Sequence, residues 1–206
     1  MNHRSIPELL ASDWAAGNKM LSQFRQTAYF PSLIRAYETL DREALYKSRF
    51  HGPDHIERVL LLGAIIAWKE AFSDADTRLL LLACSYHDIG RINEYRDDAH
   101  GARSAEKLQG PAFAETLAAL ADQEKRILCA AVEAHCLPGS MRTAIGDKHG
   151  VEAGETERYQ ELAACLKDAD NLDRVRLGDL DASRLRHDSS KELVPFAEAL
   201  YREYHT

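Results

Sequence analysis

Apolar residues recur along this chain at helical rather than strand spacing, and two stretches are apolar on almost every side. The first runs from Val59 to Trp68 and the second is Leu79-Leu80-Leu81-Leu82-Ala83-Cys84. A helix without a polar face has to be covered all round, so these two predict a central pair packed on each other. Gly52-Pro53 opens the first, Pro being tolerated in a first turn whose N–H groups lack helical partners anyway. That helix is expected to reach about Phe72. Ser73-Asp74-Ala75-Asp76 is a turn with capping residues, and the second helix runs from Thr77 and stops at Gly90. No long Val/Ile/Thr alternation and no Asn-Gly or Asp-Gly hairpin turn occurs. The pattern predicts an all-α domain.

Further helices are predicted around this pair. Met20 to Tyr46 reads as one or two, broken near Pro31. Ala102 to Leu108, Ala112 to Leu120 and Gln123 to Cys136 follow, before Leu137-Pro138-Gly139-Ser140 interrupts the pattern. Gly146 to Glu155 carries three glycines and four charged residues and predicts a mobile loop near the site. Tyr159 to about Arg174 is helical, with Leu162, Cys165, Leu166 and Ala169 on one face, and Lys191 to Tyr204 reads as a C-terminal packing helix. No internal repeat or low-complexity linker divides the chain, so residues 1–206 read as one domain.

Composition narrows the class. A 206-residue chain with 45% hydrophobic and 29% charged residues has enough apolar side chains for a substantial core. No apolar leader follows Met1, and Val59 to Trp68 is far short of the roughly 20 residues that span a bilayer. Cys84, Cys129, Cys136 and Cys165 have no CxxC spacing and read as thiols of a reducing cytoplasm. A net charge of −7 argues against a broad nucleic-acid surface, although a locally positive pocket can still take a small anion.

The chemistry is concentrated in a few histidines and aspartates. His51-Gly52-Pro53-Asp54-His55 leads into the first central helix, and Tyr86-His87-Asp88-Ile89-Gly90-Arg91 ends the second. His100-Gly101, Ala134-His135 and Ala169-Asp170-Asn171-Leu172-Asp173 follow. His55 falls in a first turn, and Gly52-Pro53 places His51 before the helix as a cap or pocket-lining group. Neighbours on a regular helix point about 100° apart, so His87 and Asp88 converge on one point only where Gly90 ends the helix. His135 shares its face with Leu128, Ala131 and Val132 and points inward, and His100 opens the helix after it. Asp170 lies beside the apolar stripe and Asp168 points outward, while spacing alone leaves Asp170 and Asp173 both open as ligands. His3, His149, His187 and His205 fall in polar or terminal stretches and read as solvated.

From about Ser48 to Leu177 this order of a His, a His-Asp pair and a distant Asp resembles the HD-domain superfamily of metal-dependent phosphohydrolases. The resemblance implies an all-α helical bundle and a metal set of His55, His87, Asp88 and Asp170. His100 and His135 are second-ion ligands if the site is dinuclear, and otherwise contact substrate. It implies one or two divalent ions, of Mn, Fe, Mg, Co, Ni or Zn. Asp173 then becomes a partner for Arg174, Arg176 or Arg91. Dinuclear members often carry two consecutive histidines where this chain has His135-Cys136.

The activity so implied is hydrolysis of a phosphate ester, a nucleotide or other small phosphorylated metabolite, by metal-activated water. Arg91 is the leading group to neutralise phosphoryl charge, ahead of Arg58, Lys167, Arg174 and Arg176, and Glu94 orients water or substrate. Asp88 is both ligand and part of the catalytic set. The chain lacks the Gly-Tyr-Pro segment of the cyclic-dinucleotide branch and the Glu-Asp pair of the alarmone hydrolases, and it has no room for the insertions of deoxynucleotide triphosphohydrolases. Two other readings share the ligand pattern: a di-iron oxygenase on the same fold, and a non-catalytic ligand-binding module. The flanks, Met1 to Tyr46 and Asp181 to Thr206, are expected to pack as helices that shape the pocket mouth or a homodimer contact.

Overall fold

The computed structural model describes residues 5–205. They form an all-α fold with no strand among the described residues. Short helices α1 (Ile6–Leu10), α2 (Asp13–Gly17) and α3 (Lys19–Phe24) lead into α4 (Tyr29–Glu38). The central elements are α5 (Pro53–Lys69), α6 (Asp74–Tyr86), α7 (His100–Leu108), α8 (Asp122–Ala134), α9 (Arg142–His149) and α10 (Thr156–Leu172). Helices α11 (Asp188–Glu192) and α12 (Val194–Tyr204) close the chain.

The two apolar stretches form the predicted pair. Every residue of α5 from His55 to Ala67 is buried, and α5 packs against α6, α10 and α4. Gly63 lets α6 come close, since a Cβ there would lie 2.6 Å from Cys84 Sγ. Ser73 caps α6, its hydroxyl accepting from the Asp76 N–H at 3.1 Å. Helix α8 packs on α7, α6, α9 and α10 and completes the ring of helices around the site.

Several boundaries differ from the pattern-based expectation. Pro31 does not break a helix; the interruption lies upstream at residues 25–28, and Pro31 falls in the first turn of α4. Ala112 to Leu120 is a 3-10 turn, Pro111–Phe113, followed by irregular turns. Its buried residues Phe113, Leu117 and Leu120 have helical spacing, so the periodicity there reports burial rather than a regular helix. Of the loop expected at Gly146 to Glu155, residues 146–149 are the last turn of helix α9, which ends at Gly150 with φ 68°, and residues 150–155 are a turn, two irregular residues and a 3-10 turn. Its glycines serve packing and termination: a Cβ on Gly146 would press on the Tyr159 ring at 3.0 Å.

The flanks join the same core. Ile6, Leu9, Leu200 and Tyr204 belong to the hydrophobic cluster built on α5. Glu57, on α5, ties both ends down by accepting from the Ile6 N–H at 3.2 Å and the Tyr204 hydroxyl at 3.0 Å.

Candidate metal centre

His55 projects from the first turn of α5, His87 and Asp88 from the end of α6, His100 from the first residue of α7, His135 from the end of α8, and Asp170 from α10. These six side chains converge. The four imidazoles and Asp88 are buried, Asp88 to 2% exposure, and Asp170 closes the cluster with its side chain 22% exposed.

The His-Asp turn is clamped by α7. The Gly90 N–H donates to Ser104 Oγ at 2.8 Å, Arg103 Nε donates to the Gly90 carbonyl at 2.8 Å, and Lys107 Nζ donates to the Ile89 carbonyl at 2.6 Å. Only glycine fits here, since a Cβ would lie 2.3 Å from Ser104 N and 2.5 Å from the His100 carbonyl oxygen. Gly90→Ala is therefore expected to push α7, and His100 with it, off the site. The expected cost is about 1–3 kcal/mol in denaturant unfolding, accompanied by weaker metal binding. A variant as stable as wild type would show that α7 yields freely.

The tautomers of the ring are set by what each Nδ1 touches. Nδ1 of His87 lies 3.0 Å from the Cys84 carbonyl, that of His135 lies 2.6 Å from the Val132 carbonyl, and that of His100 contacts the Asp97 carbonyl. A carbonyl only accepts, so each of these Nδ1 atoms carries the proton. His55 Nδ1 donates to Asp173 Oδ2 at 2.8 Å. All four Nε2 atoms thus present bare lone pairs to the centre. They face one another in two pairs, His55 with His87 at 3.2 Å and His100 with His135 at 2.9 Å.

Asp88 stands between the pairs. Its Oδ1 lies 3.1 Å from His100 Nε2 and 3.8 Å from His135 Nε2; its Oδ2 lies 3.7 Å from His55 Nε2 and 3.8 Å from His87 Nε2. Oδ1 is buried and accepts no hydrogen bond among the described residues. Asp170 Oδ1 completes the first group, 3.4 Å from His55 Nε2 and 3.9 Å from His87 Nε2. Lone pairs facing lone pairs across a buried carboxylate repel one another unless a cation lies among them. The donor set, neutral imidazoles with carboxylates, fits a divalent metal.

Burial and charge agree with that protonation pattern. Burial lowers His55 to about 3, aided by Arg176 and opposed by Asp173, and burial lowers His135 to about 4. Asp170 and Asp173 are held well below the ordinary carboxylate range despite burial, by His87 and His55 in the first case and by Arg58 and His55 in the second. A histidine kept neutral when folded but titrating near 6.5 when unfolded leaves stability untouched above that pH. Below it the unfolded chain takes up protons that the folded one does not. The metal-free protein is expected to lose up to about 1.4 kcal/mol per pH unit for each such histidine between pH 6.5 and 4. Urea midpoints measured at pH 7, 6 and 5 check this, and a flat profile would contradict it.

The structure assigns Asp173 a different role from its neighbour. It is buried and clasps Arg58, with Arg58 Nε 2.6 Å from Oδ1 and Nη2 3.0 Å from Oδ2, while orienting His55. Arg176 adds a third contact at 3.4 Å. Of the expected partners Arg176 is present, and Arg58 is the principal one instead of Arg174, which pairs with Asp179, or Arg91. That buried bond takes Nε and Nη2 of Arg58 away from any phosphoryl group at the metal centre. Lys167 Nζ is bonded to the Leu137 carbonyl. Arg91 Nε lies 2.8 Å from Asp88 Oδ2, and Glu94 is exposed, accepting from Ser48 Oγ at 2.8 Å.

Five histidines lie outside this cluster. His51, just before α5, is buried with Nδ1 3.0 Å from Asp88 Oδ2. His149 is not solvated but pairs with the buried Glu133 at 2.7 Å. His187 pairs with Asp168, which points inward: its carboxylate is fully buried and accepts from the Arg186 and His187 backbone N–H groups. The outward expectation for Asp168 assumed a helix covered on one face, whereas the segment after residue 184 wraps over α10. His205 contacts the Tyr201 carbonyl, and His3 lies outside the described residues. No sequence signal distinguished the roles of His149 and His187, because their partners lie 16 and 19 residues away.

A buried ring of imidazoles and carboxylates inside a helical bundle is the donor set of a divalent-metal protein. A family model described as HD domain matches residues 54–175, and the chain belongs to that family. HD domains bind divalent metals, and most are hydrolases. Comparison with curated proteins and with solved structures gave no match. No helix among the described residues is long and apolar enough to cross a membrane.

Proposed function

We propose that the centre holds two divalent ions and hydrolyses a phosphate ester of a small metabolite, a nucleotide being the leading class. The observation that carries this reading is the arrangement of two facing Nε2 pairs on either side of Asp88. His55, His87, Asp170 and Asp88 would hold one ion, and His100, His135 and Asp88 the other. Bound divalent ions lower the pKa of water towards neutrality and polarise phosphoryl oxygens.

The chain's own residues supply the rest. Asp173 and the three backbone carbonyls fix the imidazole tautomers and ring orientations, which keeps every Nε2 ready as a ligand. Arg91 sets a permanent positive charge against Asp88, where charge on transferring phosphoryl oxygens is neutralised. Glu94, held by Ser48, orients water or substrate at the rim. His51 contacts Asp88 at Oδ2, the oxygen other than the one His100 faces.

The test is phosphate release from a panel of nucleoside monophosphates, diesters and sugar phosphates, using chain stripped of metal and reloaded with Mn, Co, Ni, Mg, Fe or Zn separately. Hydrolysis of at least one ester, abolished by chelation and restored by metal, is the expected result. Oxygen consumption by the iron-loaded protein with no hydrolysis under any metal would replace this reading with the di-iron oxygenase.

A further inference from the structure

Beside the metal centre lies a cleft of about 390 Å³ between the start of α5, the turn at Asp173–Leu177 and α12. None of the six clustered side chains lines it. Its walls carry three guanidinium groups, Arg49, Arg58 and Arg176, against one carboxylate, Asp54, with Tyr201 alongside.

Arg58 is the informative wall residue. It is 2% exposed, and its Nε and Nη2 are committed to Asp173. The remaining Nη1 is buried and has no hydrogen-bond partner among the described residues. A buried charged donor left unmatched costs more than a neutral one, so this atom calls for an acceptor. Arg49 stands exposed, its guanidinium 5.9 Å from the Phe50 ring, and it forms no ion pair among the described residues. Helix α5 begins here at Gly52 without a side-chain cap, which adds the positive end of a 17-residue helix. Another cavity, about 510 Å³ beside α8, differs, since none of its lining side chains carries a buried donor without a partner among the described residues.

We propose that this cleft is a second anion site, taking a phosphoryl or carboxylate group of a small molecule. Arg58 and Arg176 both reach Asp173, and Asp173 holds His55, so the site is wired directly to the metal centre. The anion is either the far end of the molecule hydrolysed there, which rests on the reading above, or a separate small effector.

Titration calorimetry of inorganic phosphate into the full chain, stripped of metal and carrying Asp88→Asn, reads the site without any hydrolysis. Binding is expected, weakened about tenfold by Arg49→Glu through loss of a charged contact and unchanged by Lys125→Glu in the other cavity. Circular dichroism of Arg49→Glu, a change at an exposed position, confirms that the fold is kept. Absence of binding, or binding indifferent to Arg49→Glu, overturns the proposal. The metal-loaded chain separates the two sources. If the anion is the substrate's own, Arg49→Glu raises KM more for esters with a second anionic group than for singly charged ones. If it is an effector, free phosphate alters turnover of a singly charged ester, and Arg49→Glu removes that response. Failure of all hydrolysis would sink the hydrolase reading and leave the calorimetry as the judge of the cleft.

Discussion

Asp88→Asn is expected to abolish metal retention and to lower phosphate-ester hydrolysis by about a thousandfold or more, the scale on which removal of a bridging ligand and its charge acts. The reason lies in the two faces of the carboxylate. Oδ1 serves His100 and His135, while Oδ2 serves His55, His87 and Arg91. An amide offers one weakly basic oxygen and turns its nitrogen, a donor, towards the other group. Thermal unfolding supplies a readout independent of turnover. A ligand at a hundred times its Kd adds about 2.7 kcal/mol to stability, so metal should raise the melting temperature of wild type and leave that of Asp88→Asn unmoved. Equal stabilisation of both proteins would place the metal elsewhere.

Asp173→Ala should cost about 3–5 kcal/mol of stability, because it strands the buried Arg58 guanidinium without its counter-charge. It should also weaken metal binding about 10–100-fold by releasing Nδ1 of His55. The two effects can be parted. Replacing the pair together, Arg58→Met with Asp173→Leu, exchanges a buried ion pair for apolar volume and is expected to recover most of the stability. Metal affinity should stay low, since His55 still lacks its partner. Recovery of both would mean that Asp173 serves packing alone and does not orient the ligand.

Much of the cluster could be read from the chain because its side chains sit beside strong local signals. His55 follows a Gly-Pro helix start, His87 and Asp88 precede a glycine stop, and His135 falls on an apolar helix face, so their convergence follows from helix geometry. The choice between Asp170 and Asp173 was not available from spacing, because both fall near the inner face of α10 and its end. In the structure the Arg58 guanidinium, 115 residues before Asp173, takes that carboxylate, and Asp170 lies among the imidazoles. Asp168 was misplaced for the same kind of reason: its partners Arg186 and His187 arrive on a later segment. Glycine content misled at α9, where Gly146 makes room for Tyr159 and Gly150 ends the helix. Composition there records close packing and termination up to Gly150, and the expected non-helical connection runs only from there to Glu155.

The most direct test of the account is the number of ions bound by wild-type chain, stripped and then titrated with manganese or cobalt, counted by elemental analysis after removal of free metal. The geometry predicts about two per chain, as in two-metal hydrolytic sites, with one lost when His100 and His135 are both replaced by alanine. No bound ion under any loading would contradict it, leaving the facing imidazoles of this bundle without the charge their arrangement requires.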